Sequence, residues 1–419
     1  MPSNTPSGAA AAASCPRLSL STASSPNWAG LFALMLASFA TTANETVPAG
    51  LLPQLAAGLG VSEAWAGQLV TLCALGAGLG AVPLATGLRH WPRRRVLVLA
   101  LGGFFLCNAI TALSTHFLLT LAARLVVGAA AGLAWSVIAP YARRLAPPAQ
   151  QGRALAVAML GLPLALALGV PLAAWLGQLV GWRWVFGGLS GLALLLAVWL
   201  LAAVPDAVDT VDAGRQSRPA SASQAPRPRL GQVLALPGVR PVLAVVLLWV
   251  LAHYTLYTYI APFLAAAGQA DRLGAVLSTF GLCTLAGLWL VGWLVDRHLR
   301  GLVLASLGLF AGIAAAYGAW GTSWPVIAAG AALWGLSFSG APTLLQTALG
   351  DAAGEHESVA QSMLVTVFNL AFAGSGVLGG ALLATVGATA LPWMPVALAA
   401  AAWGTAFLAR RHGFRGGRR

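Results

Sequence analysis

Residues 117–141 read FLLTLAARLVVGAAAGLAWSVIAPY, and two arginines, Arg143 and Arg144, follow almost at once. The stretch holds one charged residue, Arg124, and is otherwise apolar, small or weakly polar. A helix needs about 20 predominantly apolar residues to cross the ~30 Å hydrocarbon core of a bilayer, so this segment is long enough to span one. Eleven more stretches of the same kind can be marked, at 28–51, 65–88, 95–114, 153–178, 183–204, 242–266, 273–295, 301–320, 324–349, 358–386 and 391–409. Several contain glycine and proline, which spanning helices tolerate when neighbouring groups satisfy the freed backbone.

Composition points the same way. Of the 419 residues, 59% are hydrophobic and 8% charged, and the mean hydropathy is +0.82. A soluble domain carries about 25% charged residues; a water-facing surface cannot be built from so few, whereas a lipid-facing one needs none. The formal charge of +13 invites a nucleic-acid reading, but the basic residues are arginines in short clusters between apolar runs, and no basic face survives once the spans are assigned. Cys15, Cys73, Cys107 and Cys283 show no metal or redox spacing. No cofactor is expected. Residues 1–27 carry no basic start followed by a long apolar core and are expected to form a disordered tail.

The longest polar stretch, 205–241, mixes Asp206, Asp209, Asp212, Arg215, Arg218, Arg227 and Arg229 with Pro, Ser, Ala and Gln, the composition of a flexible linker. It separates six spans (28–204) from six (242–409), and a basic tail (410–419) closes the chain. Twenty of the 23 basic residues fall in the tails, the 2–3, 4–5 and 8–9 connections and this linker; Arg183 and Arg272 lie on the opposite side, and Arg124 inside a span. Loops enriched in arginine stay in the cytoplasm, so both termini and the linker are expected inside an inner membrane. The halves also echo each other: GLAWSVIAP (132–140) in span four matches GLSFSGAP (335–342) in span ten, and Met159-Leu160 with Gly169 matches Met363-Leu364 with Gly374. Duplicated units of this kind place a binding site at the interface of the two halves. The expected fold is therefore an all-α membrane protein, twelve transmembrane helices in two pseudo-symmetric six-helix bundles.

Four motifs carry more specific information. GAVPLATGLRHWPRRR (80–95) follows span two, and GWLVDRHLR (292–300) follows span eight. Span four carries RLVVGAAAG (124–132), and span five carries GLPLALALGVPLAAWLG (161–177). In this order and at these spans the chain resembles the major facilitator superfamily. Within it, ETVPAGLLP (45–53), GVPLAAWLG (169–177), GWRWVF (181–186) and YTYIAPFL (257–264) look closest to the twelve-span drug/proton antiporter family, in its arabinose-efflux-like and chloramphenicol-resistance-like branch. The resemblance implies conformational gating at Gly80, Arg89, Arg93, Gly292, Asp296, Arg297 and Arg300, and an antiporter-like motif at Gly161, Gly169, Pro171 and Gly177. Two departures stand out: the first gating copy has no acid between Leu84 and Arg89, while the second keeps Asp296, and Val170 separates Gly169 from Pro171 with Ala173-Ala174 in place of a glycine pair.

Charged groups inside spans are costly and mark pathways or sites. Glu45 is the acid lying well inside a span, and it matches the first-span acid of the branch. Arg124, which corresponds to the family's span-four arginine, falls at comparable depth, so Glu45 and Arg124 are the candidates for proton coupling, and a structural pair between spans one and four is the alternative. His253 sits near the midplane of span seven with Tyr254 and Tyr257 beside it; a neutral histidine bonded between helices is the alternative to a substrate contact. With Trp135, Gln346 and Asn369 these complete the candidate substrate site, and Ser136, Phe338 and Phe368 are further candidates for lining it. The expectation is a monomeric, proton-coupled efflux transporter of a small solute, working by alternating access within membrane lipid. A uniporter or proton symporter importing a sugar, nucleoside or amino acid is the alternative.

Overall fold

The computed structural model describes residues 26–88, 90–147, 150–204 and 230–414. Twelve long helices account for nearly all of them: α1 Trp28–Gly50, α2 Gln68–Gly87, α3 Arg93–Leu113, α4 Phe117–Arg144, α5 Gln151–Leu179 and α6 Trp182–Ala203, then α7 Val239–Thr258, α8 Ala270–Val295, α9 Arg297–Trp320, α10 Trp324–His356, α11 Glu357–Thr385 and α12 Trp393–Leu408. Eleven of the helical stretches are long and apolar enough to cross a membrane. The twelfth, α1, has 23 residues but carries Ser38, Thr41, Thr42, Asn44, Glu45 and Thr46, and most of its surface is covered by α4, α5 and α6. A helix that faces protein rather than lipid has no need to be apolar throughout.

Both halves repeat the same local events. α1 breaks at Leu51 (φ −112°, ψ 10°) and resumes as Leu52–Leu59, with Pro53 in its first turn. α7 breaks at Tyr259 (φ −110°, ψ 22°) and resumes as Ile260–Ala266, with Pro262 in its first turn. In each case the proline lacks the N–H that would have continued the ladder, and a residue two or three positions before it takes up the bend. Pro171 has a similar effect in α5, where Ala165–Gly169 forms a π-helical turn and the Val170 amide reaches back to the Ala165 carbonyl.

The chain ends of both halves lie on one face, which we call the terminal face. There the Asn27 amide donates to the Leu145 carbonyl at the end of α4, and the residues after α12 fold against the start of α7. The C-terminal half begins earlier than its hydropathy suggests: a short helix, Leu230–Leu234, precedes α7, which starts at Val239 rather than 242. The C-terminal tail is likewise partly structured, with Phe414 fully buried. The expected tail at 1–27 and most of the 205–241 linker fall outside the described residues.

The halves meet chiefly along α2–α11 and α5–α8, and α1 touches α7. These contacts crowd toward the face opposite the termini. The Tyr259 hydroxyl and the Gln68 side-chain amide both donate to the Gly376 carbonyl, at 2.6 and 3.2 Å. Gly281 of α8 lies against the backbone of Leu166 and Ala167 in α5, so closely that a Cβ there would collide with it.

Candidate functional site

The candidate residues lie where α1, backed by α4, touches α7, and where α2 packs on α11. The carboxyl of Glu45 is half-buried and accepts a hydrogen bond of 3.2 Å from the Trp135 indole N–H. Counting from the Asn27–Leu145 contact at ~1.5 Å per residue, Glu45 lies about 27 Å up α1 and Trp135 about 15 Å up α4. They still meet because helical side chains lean toward their own N-termini. α1 and α4 run antiparallel, so the carboxylate leans down and the indole leans up. Ser136, next to Trp135, is exposed, and its hydroxyl is turned back to the Leu133 carbonyl.

Arg124 is fully buried, but its partner is not Glu45. One terminal nitrogen donates to Asn108 Oδ1 at 2.6 Å and to Thr111 Oγ1 at 3.4 Å; the other donates to the Asn44 carbonyl at 3.3 Å. Asn108 in turn donates to Asn44 Oδ1 at 2.8 Å, and Asn44 to the Ala40 carbonyl. The guanidinium also lies 5.0 Å from the Phe186 ring centroid. The expected pairing of spans one and four through charge is therefore corrected: the cation is held by neutral amides and a hydroxyl from α1 and α3. The cause is helical phase, since Asn44 and Glu45 are adjacent on α1 and so about 100° apart around its axis. Asn44 points at Arg124 while Glu45 points at Trp135. Asn108 and Thr111 were missed by sequence reasoning, although an amide in the apolar run of α3 is itself a signal.

From the C-terminal half, Tyr254 is half-buried and stacks on Phe372 (centroids 3.9 Å apart), with Phe368 and Phe338 edge-on. Through Phe372 it joins a cluster in which Phe372 and Ala373 of α11 meet Val70 and Ala74 of α2, across the two halves. Of the candidates, Glu45 and Trp135 are in direct contact, and Tyr254 lies on α7, the helix of the other half that α1 touches. Asn369 is half-buried on α11, bonded to its own Val365 carbonyl and packed toward Gly78 of α2.

Three other candidates sit elsewhere. His253 is 3% exposed; its Nδ1 accepts from the Trp334 indole at 3.0 Å, and its ring lies flat on Phe338. Tyr257 is buried against Phe280 and Trp334. In this conformation both pack in an aromatic cluster joining α7 to α8, α9 and α10, the arrangement of a histidine bonded between helices. The physical reason is again phase: His253 and Tyr257 share the face of α7 that Tyr254 does not. Gln346 is exposed on the terminal-face part of α10, where its carbonyl accepts from Gln361 of α11; the structure does not bring it to Glu45.

The gating and antiporter motifs divide as well. Gly80 packs tightly on Ala129 of α4, whereas a Cβ at Gly292 would meet nothing. Arg93 opens α3 and Arg297 is exposed; Arg89 and the side chain of Asp296 lie outside the described residues. Arg300 donates to the Ala406, Phe407 and Phe414 carbonyls and so caps the end of α12 in this conformation. Arg94 does the same for α6 through the Leu201 and Val204 carbonyls. Unsatisfied carbonyls at a helix C-terminus attract cations, and the duplicated arginine at the start of the third helix of each half answers that need. Gly161, Gly169 and Gly177, eight residues apart, all lie against α1 or its continuation, at Met35–Phe39, Phe39 and Leu51 respectively, and Pro171 is buried behind the π-helical turn. Among the described residues, no group of three or more His, Cys, Asp or Glu is placed to hold a metal ion.

The chain is similar in sequence and fold to known proteins. The profile of the Major Facilitator Superfamily matches residues 34–373. A chloramphenicol efflux pump of Mycobacterium tuberculosis is 32% identical over 366 residues, covering 84% of this chain and 85% of the pump. A purine ribonucleoside efflux pump of Shigella sonnei is 28% identical over 367 residues, covering 87% and 89%. Among solved structures, a D-xylose–proton symporter superposes with a TM-score of 0.71 over 92% of this chain and 97% of its own, at 17% identity.

Proposed function

The chain belongs to the major facilitator superfamily, and from that premise we propose that this transporter exports a small, ring-bearing solute in exchange for protons. It is a secondary transporter and not an enzyme. The observation that carries the reading is the setting of Glu45: a carboxyl half-buried between two helix bundles, bonded to an indole and without an ion-pair partner among the described residues. A proton drives transport only if its affinity differs between the two conformations. A carboxyl at the moving interface of the halves meets that requirement, because rocking of one half changes what surrounds it.

Arginine bias supports a cytoplasmic terminal face in an inner membrane. On that orientation the contacts through Gln68, Tyr259, Gly376 and Gly281 join the halves toward the outer side. Trp135, Tyr254 and Phe368 supply aromatic faces near the carboxyl, which suits a flat ring. The relatives named as exporters of chloramphenicol and of purine ribonucleosides handle ring-bearing solutes. Both halves lie in one chain, which supports a monomer in lipid as the working unit.

The test is uptake and counterflow in proteoliposomes with an imposed pH gradient, using chloramphenicol and a purine ribonucleoside as probes. Glu45→Gln keeps the size of the side chain but cannot titrate. It is expected to abolish gradient-driven accumulation while downhill exchange persists. Uphill transport by this variant with an unaltered pH dependence would remove Glu45 from the coupling role, and substrate movement down its gradient with no response to pH in the wild type would favour a uniporter.

A further inference from the structure

Where α12 ends, residues 407–413 fold back against the start of α7. Together with Pro237, Gly238 and Pro241 they line an open notch of about 600 Å³. One wall is apolar: exposed Phe407 and Leu408 line it, and Trp403, one turn earlier on α12, stacks on Phe407 with centroids 5.1 Å apart. The rim is cationic. Arg410, Arg411 and His412 are exposed and, among the described residues, none has an ion-pair or hydrogen-bond partner through its side chain; no acidic residue lines the notch.

The notch is built rather than incidental. Gly238 has φ +97° and lies against the His412 carbonyl so closely that a Cβ would collide with it. The Gly413 and Phe414 amides both donate to the Ala409 carbonyl, at 3.0 and 3.1 Å. Phe414 is fully buried, and Arg300 holds its carbonyl. The turn carrying the two arginines is therefore anchored from behind, and their side chains are left outward at the depth where a spanning helix meets the headgroups.

Among the described residues, the N-terminal half has no equivalent. α6 is capped by Arg94 as α12 is by Arg300, yet it runs into Val204, Pro205 and Asp206 with no basic residue. The pseudo-symmetry of the fold accounts for the caps and not for the basic turn.

We propose that this notch binds an anionic phospholipid, with the phosphate on Arg410 and Arg411 and the acyl chains along Trp403, Phe407 and Leu408. Cationic side chains beside a membrane surface attract anionic headgroups, and an aromatic pair below them suits the interfacial part of the chains. Such a lipid bridges α12 to α7, the helix that carries Tyr254, so its binding stabilises the C-terminal half as a unit. The assignment does not depend on the direction or coupling of transport.

Thermal unfolding of the full chain in a neutral detergent tests it, read as the rise in melting temperature over each protein's own lipid-free value. The additives are dioctanoyl phosphatidylglycerol, dioctanoyl phosphatidylcholine and inorganic phosphate. Phosphatidylglycerol is expected to raise the melting temperature saturably, and the other two are not. The R410Q/R411Q variant should need roughly 25-fold more phosphatidylglycerol for half the effect, at about fivefold for each juxtamembrane arginine. R143Q/R144Q, which removes two exposed arginines from the N-terminal half, should behave as wild type. An equal response to phosphatidylcholine, an equal loss in R143Q/R144Q, or the full effect with inorganic phosphate alone would each overturn the proposal: the first points to generic apolar contact, the second to a diffuse basic field, the third to a free-anion site.

Discussion

Removing the amide of Asn108 should expose how the buried charge of Arg124 is held. In the folded chain the guanidinium makes its shortest bond, 2.6 Å, to Asn108 Oδ1, while its bonds to Asn44 and Thr111 are 3.3 and 3.4 Å. Asn108 also donates to Asn44 Oδ1 at 2.8 Å. Asn108→Ala deletes one charge-assisted bond, worth about 1.5–3 kcal/mol, and one neutral bond worth about 1 kcal/mol. No water replaces them easily, since Asn44, Asn108, Thr111 and Arg124 are all fully buried. A loss of about 3–4 kcal/mol is expected, a change of a few hundredfold in the folded-to-unfolded ratio. Asn108→Asp keeps an acceptor for the guanidinium and should recover most of it. Equilibrium unfolding in mixed micelles, titrated with a denaturing detergent and followed by circular dichroism, gives the difference. Glu45→Gln serves as the second arm of a cycle: Glu45 and Arg124 share no hydrogen bond here, so the two substitutions should add to within about 0.5 kcal/mol. If Asn108→Ala costs under about 1 kcal/mol, or its cost grows sharply once Glu45 is also removed, then Glu45 balances the arginine and the neutral network does not.

Gly281→Ala places a methyl group against the α5 backbone at Leu166 and Ala167; overpacking of this kind costs about 1–3 kcal/mol and falls on the conformation closed at the far face, so cysteine cross-linking between α5 and α8 should slow by roughly 5- to 150-fold, and unchanged cross-linking would show that the helices yield without cost. His253→Ala leaves the buried Trp334 indole N–H unpaired and opens a cavity under Phe338, so a stability loss of about 3–5 kcal/mol with little change in substrate affinity is expected; weakened binding at normal stability would return His253 to the substrate site. Deleting residues 212–226, whose composition is that of a flexible linker, should leave transport largely intact, and complete loss of transport in a normally inserted protein would make the linker a working part.

Span number, the division into two halves and the motifs that mark the superfamily are legible in the sequence, because hydropathy is a sum over about 20 residues and a bilayer accepts only a backbone that bonds to itself. One polar residue more or less does not change such a sum. Even α1, too polar for a hydropathy criterion, is recovered by its length and its place before five clear spans. Glu45, Trp135 and Tyr254 could be nominated in the same way, as chemistry-bearing residues in apolar runs. Their partners could not. A helix that is apolar nearly all round does not announce which side meets lipid, which meets its own bundle and which meets the other half. That phase separates Asn44, which holds Arg124, from Glu45, which does not, and Tyr254, between the halves, from His253 and Tyr257, inside one of them. Nor does residue depth alone decide contact, as the Glu45–Trp135 bond shows: antiparallel helices tip their side chains toward one another across some 12 Å of axial offset. Packing sets the rotation and tilt of each helix, and those two angles determined which of the nominated residues became a site.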